Sequence, residues 1–503
     1  MSTSSTSWTP TPPSLAVPPH SRAMGGSSLN WWLLLICLVG LIIVLADGFT
    51  RPSMIEAEET AIEPLTYEPY SGAYVFAFFM LPLTLGYSAS AGVSRKEALF
   101  LWFILCTVAY AKDFSYVGIP GSKLFVTDMV MVSLLVWQRK SVRDGLRSLG
   151  TLPVLALSAF VLSGVLSVAR GFLAGEEKAL VFRDSAIFVY SSFLLLGFLL
   201  ITSWEGVRRV FLFVTLGAVF CSLNAAAWFL MQQGQRRYMG YGIYVVTALL
   251  GLLLGRANGI MKRSGLFLPA VLTIGILLFN SRAAYAAMAG AIAVILLVGV
   301  QLQKKHAIMA RLKLVFKLMA MLCLVLAIVL QTRIGSTFVE RSLEEVTAAA
   351  LDPSQDPTSQ FRFMAWAEAI TRFSQNPVVG EGYGVPFTFD IYDDDPRPHD
   401  TYLTILYKMG IVGFSPFLLL LATFFFRGWR TVLANRNRQE TVWLYVLLVG
   451  LVAQCLNGLF NYVVESPYMA SMFWISIGMG FRMVLMLQSS AGLAVRSTQE
   501  LAA

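Results

Sequence analysis

Apolar runs long enough to cross a ~30 Å hydrocarbon core recur along the chain, broken by short polar interruptions. Runs near 31–47, 73–92, 98–111, 124–138, 151–169, 185–203, 210–231, 239–255, 265–281, 283–302, 314–332, 401–426, 441–463 and 469–487 predict about fourteen membrane-spanning helices. The third and fourth runs are the shortest. The expected fold is therefore all-α and polytopic. Residues 30–332 carry spans one to eleven, 333–400 form one large external loop, and 401–487 carry the last three spans. Tails at 1–29 and 488–503 flank them.

The long loop has its own pattern. "TSQFRFMAWAEAITRFSQNP" predicts a helix capped by Thr358 or Ser359, with an apolar stripe of Phe361, Met364, Ala365, Ile370 and Phe373, ended by Asn376 and Pro377. A glycine-rich turn follows, "VVGEGYGVP", and then the acidic "DIYDDDPRPHD". A connection this long between spans usually carries function.

Composition agrees with a membrane chain: 56% of the 503 residues are hydrophobic and 13% charged, against roughly a quarter charged in soluble domains. The net charge of +9 does not point to nucleic acid; in such a chain the question is which side the basic residues occupy. Alternate short loops are basic, among them Arg95 and Lys96; Arg139, Lys140, Arg143 and Arg147; Arg208 and Arg209; and Lys304, Lys305, Arg311 and Lys313. The positive-inside rule assigns these loops, and with them both termini, to the cytoplasm. The Ser-, Thr- and Pro-rich start of the chain reads as disordered and not as a signal peptide. Cys37, Cys106, Cys221, Cys323 and Cys455 each sit in an apolar run and read as small buried hydrophobes. No metal site is expected: Asp393, Asp394 and Asp395 are consecutive and read as a solvated loop.

The external loops are poor in Lys but hold Arg170, Arg183, Arg236, Arg237, Arg282, Arg333, Arg341, Arg362, Arg372 and Arg397. A guanidinium grips phosphate with two parallel hydrogen bonds where an ammonium acts as a point charge. The set suggests a phosphorylated ligand; singly, each Arg is as well explained by snorkelling or by pairing with Glu176, Glu177, Asp184 or Glu368. Arg282 lies in "LLFNSRAAYAAMAG", between two apolar runs with almost no loop, where a charge is costly unless paired or facing water.

Of the three histidines, His20 falls in the tail and His306 in a basic loop. His399 stands just before the span that starts at Thr401. A neutral imidazole there can take a proton from an attacking hydroxyl. Asp400 either caps the helix or orients the base, and the cap is favoured because sequence neighbours do not face each other. Gly410 and Gly413 give one helix face no side chains, which permits close packing. Lys408 either snorkels or marks residues 400–409 as a shallow helix ahead of the true span.

Three stretches together resemble the bacterial O-antigen ligases and the related Wzy-type O-antigen polymerases: "NSRAAYAAMAG" at 280–290, "FRFMAWAEAITRFSQNPVVGEGYG" at 361–384, and "HDTYLTILYKMGIVG" at 399–413. The chain departs from that family in having Asp400 where an Asn is usual after the His, and in its higher span count. The resemblance implies a multi-pass glycosyltransferase of the inner membrane, needing no cofactor or metal. Its donor would be a glycan on undecaprenyl diphosphate, and its acceptor a sugar hydroxyl on lipid A–core, on another glycan chain or on a protein. On that reading His399 is the base, while Arg282, then Arg362, Arg236 and Arg237, then Arg397, hold the diphosphate. Asp400, Gly410 and Gly413 support, membrane lipids surround the spans, and nucleic acid is no partner. A polymerase of lipid-linked repeat units would use the same chemistry. A transporter or flippase should instead carry ionisable residues at mid-membrane and show repeat symmetry; here the charges gather at the outer ends of the spans.

Overall fold

The protein is described by a computed structural model that covers residues 26–50, 71–118, 125–231, 242–257, 267–279, 281–302, 356–389 and 397–502, with isolated positions between 303 and 355. Among these residues every regular element is a helix, and the one pairing of extended backbone is a single bridge between Gly118 and Phe125. The helices are α1 (Gly26–Thr50), α2 (Ser71–Ser90), α3 (Arg95–Ser115), α4 (Val126–Leu149), α5 (Thr151–Ala174), α6 (Lys178–Val189), α7 (Ser192–Leu200) and α8 (Trp204–Met231). They continue with α9 (Gly242–Ala257), α10 (Phe267–Phe279), α11 (Arg282–Leu302), α12 (Pro357–Gln375), α13 (Thr401–Ala434), α14 (Thr441–Asn457) and α15 (Pro467–Ala502).

Among the described residues, eight stretches are long and apolar enough to cross a membrane: Trp31–Thr50, Ser71–Ser90, Arg95–Ser115, Thr151–Ala174, Lys178–Leu200, Trp204–Met231, Thr401–Ala434 and Pro467–Ser489. Gly242–Gly255, Phe267–Phe279, Arg282–Leu297 and Thr441–Asn457 are apolar but shorter. The expected fourteen spans are thus not reached on the described residues. The run at 124–138 belongs to α4, whose second half carries Arg139, Lys140, Arg143, Asp144 and Arg147. The run at 314–332 lies almost wholly outside the described residues. The C-terminal helix does not stop at 487 but continues to Ala502.

Packing is pairwise and dense. α5 lies along α13, α7 along α15, α3 against α2 and α8, α1 against α2 and α8, and α14 against α9 and α11. Their facing side chains merge into one apolar core that includes Phe103, Phe160, Phe193, Phe417 and Trp474. A second, small core sits apart from it. There Ala365 and Ala369 of α12, Phe387 of the following loop and Tyr407 of α13 are buried together, with Phe361, Phe373, Phe389 and Leu403 around them. This small core fixes α12 over the start of α13, which is where the candidate chemistry lies.

The predicted helix in the long loop is present, with two corrections. Its cap is Asp356, whose Oδ2 accepts from the Ser359 amide at 2.9 Å and the Ser359 hydroxyl at 2.6 Å. Pro357 fills the first helical position, where no amide hydrogen is needed. Ile370 does not join the buried stripe but stands exposed, and Ala369 takes its place.

Candidate functional site

The site rests on a broken helix. At Gly410 the backbone of α13 leaves helical geometry (φ 61°, ψ −167°), splitting it into Thr401–Met409 and a longer second part. A break frees amide and carbonyl groups, and each would cost several kcal/mol if left unpaired in apolar surroundings (about 2–7). The glycine-rich loop after α12 satisfies them. Glu381 N donates to Tyr407 O at 2.8 Å and Gly382 N to Lys408 O at 3.1 Å. Ile411 N donates to Pro377 O at 2.9 Å and Val412 N to Val378 O at 3.0 Å. The approach is so close that a Cβ on Gly410 would overlap the Val378 carbonyl, and one on Gly380 would overlap the backbone of Lys408. Both glycines have positive φ. The expectation that Gly410 serves a side-chain-free packing face is therefore corrected: Gly410 is the break itself. Gly413 does face a neighbouring helix, with Ser163 of α5 close by.

Charged side chains lock this loop in place. The Lys408 side chain is 3% exposed, and its Nζ lies 3.0 Å from Asp184 Oδ2 and 3.3 Å from Glu381 Oε1. It also donates to Val385 O at 2.8 Å. Lys408 thus does not snorkel; it is the buried centre of an ion-pair lattice on the short first segment of α13. Asp184 also accepts from Gly384 N and from Arg183. Arg372 bonds Glu368 at 2.7 Å, reaches Glu381 at 3.4 Å, and donates to the carbonyls of Pro386 and Thr388. Burial raises the Glu381 carboxyl above its usual range against the pull of Lys408 and Arg372. Arg170 donates to the carbonyls of Val379 and Gly380. Arg170, Arg183 and Arg372, counted at first among possible phosphate ligands, hold protein groups.

His399 is held from every side. Its backbone is left-handed (φ 51°), a region costly for a residue with a Cβ. The preceding carbonyl, of Pro398, accepts from Trp366 Nε1 at 3.0 Å. Asp400, next along, caps α13 by accepting from Leu403 N at 2.8 Å. Thr401 then binds the turn between α14 and α15 three times. Its amide donates to Gly458 O, its hydroxyl donates to Asn461 O, and the same hydroxyl accepts from Val463 N, all within 2.7–2.8 Å. The His399 ring meets Phe361 edge-on at 5.7 Å and Tyr462 at 5.0 Å.

Two guanidiniums act on the imidazole through their charges. Arg362 of α12 lies over the Phe460 ring at 5.9 Å, and Arg397 over Tyr462 at 5.5 Å. Arg397 also pairs with Glu465 at 3.3 Å. Burial, reinforced by the charges of Arg362 and Arg397, brings the His399 imidazole down to about 4. Burial raises the Asp400 carboxyl to about 6, partly offset by the amides it accepts from. At neutral pH the imidazole is therefore uncharged, with its proton-accepting lone pair available.

Arg282, the first residue of α11, is paired. Its Nη1 and Nη2 lie 2.9 and 3.1 Å from the two carboxylate oxygens of Asp356. That two-pronged bond, with the Ser359 contacts, holds the Asp356 carboxyl down at about 2. Arg282 therefore stands at the head of α12, where its partner Asp356 lies five residues before Phe361, or ~7.5 Å along the helix. Of the predicted residues, the structure brings His399, Arg362, Arg397 and Asp400 together and sets Arg282 at the N-terminal end of α12, under two turns from Arg362. Arg236 and Arg237 lie outside the described residues, as do His306 and Asp393 to Asp395. Among the described residues no three His, Cys, Asp or Glu side chains gather as a metal site would need.

Sequence reasoning overlooked Glu465, Tyr462 and Asp356. The signal that singled out Arg282, a charge wedged between apolar runs, was equally present for Glu465 in "NYVVESPYMA". The other two carried none, since an aromatic before an apolar run and an acid before Pro are commonplace.

Residues 265–418 match the model of the O-antigen ligase family. Over that stretch, which runs from α10 through α12 and the glycine loop into α13, the chain is similar to that family. No curated protein matches the chain.

Proposed function

We propose that this chain is an O-antigen ligase-like glycosyltransferase. It moves a glycan from undecaprenyl diphosphate to an acceptor hydroxyl at the outer face of the bacterial inner membrane. The observation that carries the reading is the uncharged imidazole of His399 in the field of the Arg362 and Arg397 guanidiniums, all three within the stretch that matches the ligase model. His399 accepts the proton of the acceptor hydroxyl as that oxygen attacks the anomeric carbon. The bond from that carbon to the diphosphate oxygen breaks, and the departing diphosphate carries the growing negative charge. Arg362 and Arg397 stabilise it as fixed donors that need no rearrangement during the reaction.

The positions of the two guanidiniums explain how a weakly basic imidazole serves. A bound diphosphate neutralises the charges that help depress His399, so the base strengthens when the donor arrives. Arg282 supports the site in this account by holding α12 through Asp356. The long segment at 333–400 is the periplasmic loop, and both termini lie in the cytoplasm, as the basic loops suggest.

Deletion of the gene followed by gel analysis of envelope glycans tests the reading. A ligase leaves an intact core without long chains. A core bearing one repeat unit would point instead to a polymerase, and an unchanged profile would remove the proposal.

A further inference from the structure

The Tyr462 ring beside the His399 imidazole belongs to a group of aromatic side chains that the proton-transfer chemistry does not use. Tyr462 lies 5.0 Å from the imidazole. Phe460, two residues earlier in the same turn, lies 6.4 Å from Trp366 of α12. All three rings are only partly buried. The turn that carries Phe460 and Tyr462 follows α14, outside the stretch that matches the ligase model.

We infer that Trp366, Phe460 and Tyr462 form an acceptor subsite that takes a sugar ring by stacking against its C–H face. The inference rests on the proposed role of His399 and deepens it. A hydroxyl that gives its proton to the imidazole must come within ~3 Å of a ring nitrogen. The sugar that bears it must then lie against the Tyr462 ring, 5.0 Å from that imidazole, beside which Phe460 and Trp366 extend the aromatic surface. Aromatic faces suit this ligand because a pyranose has an apolar C–H face and a polar edge, and Tyr and Trp pair a large apolar body with a polar tip.

The charges argue against an isoprenoid tail in the same place. Arg362 lies over Phe460 and Arg397 over Tyr462. An apolar chain laid on these rings would strip water from two guanidiniums and offer no acceptor in return. A sugar offers hydroxyl oxygens. The rim is held to the base: Thr401, two residues after His399, bonds Gly458, Asn461 and Val463 on either side of Phe460 and Tyr462. The spacing between base and stacking rings is therefore built into the fold, as an enzyme that selects one hydroxyl of its acceptor requires.

The test is a titration of the full-length protein in lipid nanodiscs, followed by tryptophan emission. The probe is lipid-free oligosaccharide released by mild acid from the envelope of a strain lacking this protein. A saturable change is expected, and its loss in Trp366→Phe assigns the signal. Tyr462→Ala and Phe460→Ala should each weaken binding by ~10-fold, and in turnover should raise the acceptor KM more than they lower kcat. Tyr462→Leu, which keeps apolar bulk without a ring, should weaken binding too, while Tyr462→Phe should recover what Tyr462→Ala loses. Ring variants that bind and use the acceptor as the native protein does would overturn the inference. So would an emission change that appears only with prenyl phosphate. His399→Ala separates the two levels: if it is inactive and the ring variants are unchanged, the subsite alone fails. If His399→Ala transfers normally, the reading beneath it fails.

Discussion

Arg282 and Asp356 are joined by two parallel hydrogen bonds of 2.9 and 3.1 Å, tying the first residue of α11 to the cap of α12. The same carboxylate holds the Ser359 amide and hydroxyl. Removing the guanidinium leaves a nearly buried carboxylate short of its main partner and loosens the helix that carries Phe361, Arg362 and Trp366.

Arg282→Ala and Asp356→Asn should therefore behave alike. Each should lower stability by ~1–3 kcal/mol and reduce glycan transfer, and the double variant should cost little more than either single one. Thermal unfolding of the purified proteins and a double-mutant cycle check this. If Arg282 acted only on the donor, Asp356→Asn would free it and transfer would hold or rise.

Gly410→Ala meets the Val378 carbonyl and a positive φ together. We expect a loss of ~2 kcal/mol or more, with Gly380→Ala comparable because its Cβ would enter the backbone of Lys408 on the other side of the same contact. Lys408→Met should be worse still, since it leaves Asp184 and Glu381 without their shared cation, a loss of ~3–5 kcal/mol for a broken buried pair. Protein yield and melting temperature in detergent read all three. Wild-type melting in Lys408→Met would show that the lattice contributes nothing.

Much of this was legible in advance, and the limits have physical causes. Apolar runs found the long helices because a membrane span needs little beyond length and hydropathy. Asn376 and Pro377 marked the end of α12 because Pro cannot continue a helix. The break at Gly410 is signalled only through Lys408, as one of two readings, since the apolar run passes straight through it and its missing bonds are filled by residues some thirty positions upstream. Of the two readings of Lys408, the separate segment fits the break and snorkelling does not; its burial is hidden because its partners, Asp184 and Glu381, are remote in sequence. Arg282 reads from sequence as costly unless paired or facing water; its pairing with Asp356 could not be read there, because that residue sits in a Pro-flanked stretch with no pattern of its own.

Two groups beside the turn into α13 titrate in opposite senses. His399 is lowered from 6.5 to about 4, so it adds stability present above pH 6.5 and lost as pH falls through 4. Asp400 is raised from 3.8 to about 6, so it adds stability present below pH 3.8 and lost as pH rises through 6. Across the window from about 4 to 6 the two oppose each other. Asp400→Asn removes one of them and can still cap the helix, so its melting temperature should climb more steeply with pH in that window than the native protein's does. Identical profiles would contradict the assignment.

The same electrostatics predict a split between kinetic parameters. The acid limb of kcat/KM reports the free enzyme and should fall near pH 4, the titration of His399. The limb of kcat reports the donor complex, in which the diphosphate offsets Arg362 and Arg397, and should lie at higher pH. Coincident limbs would show that no anion binds beside the imidazole.

The central claim is that His399 takes the acceptor's proton, and transfer by the purified protein from a lipid-linked glycan tests it most directly. His399→Ala should lower kcat by ~10²–10⁴-fold while the protein folds and still retains the donor. His399→Gly, which suits the left-handed backbone at that position, should be at least as stable and equally inactive. Transfer by His399→Ala at the native rate would contradict the account.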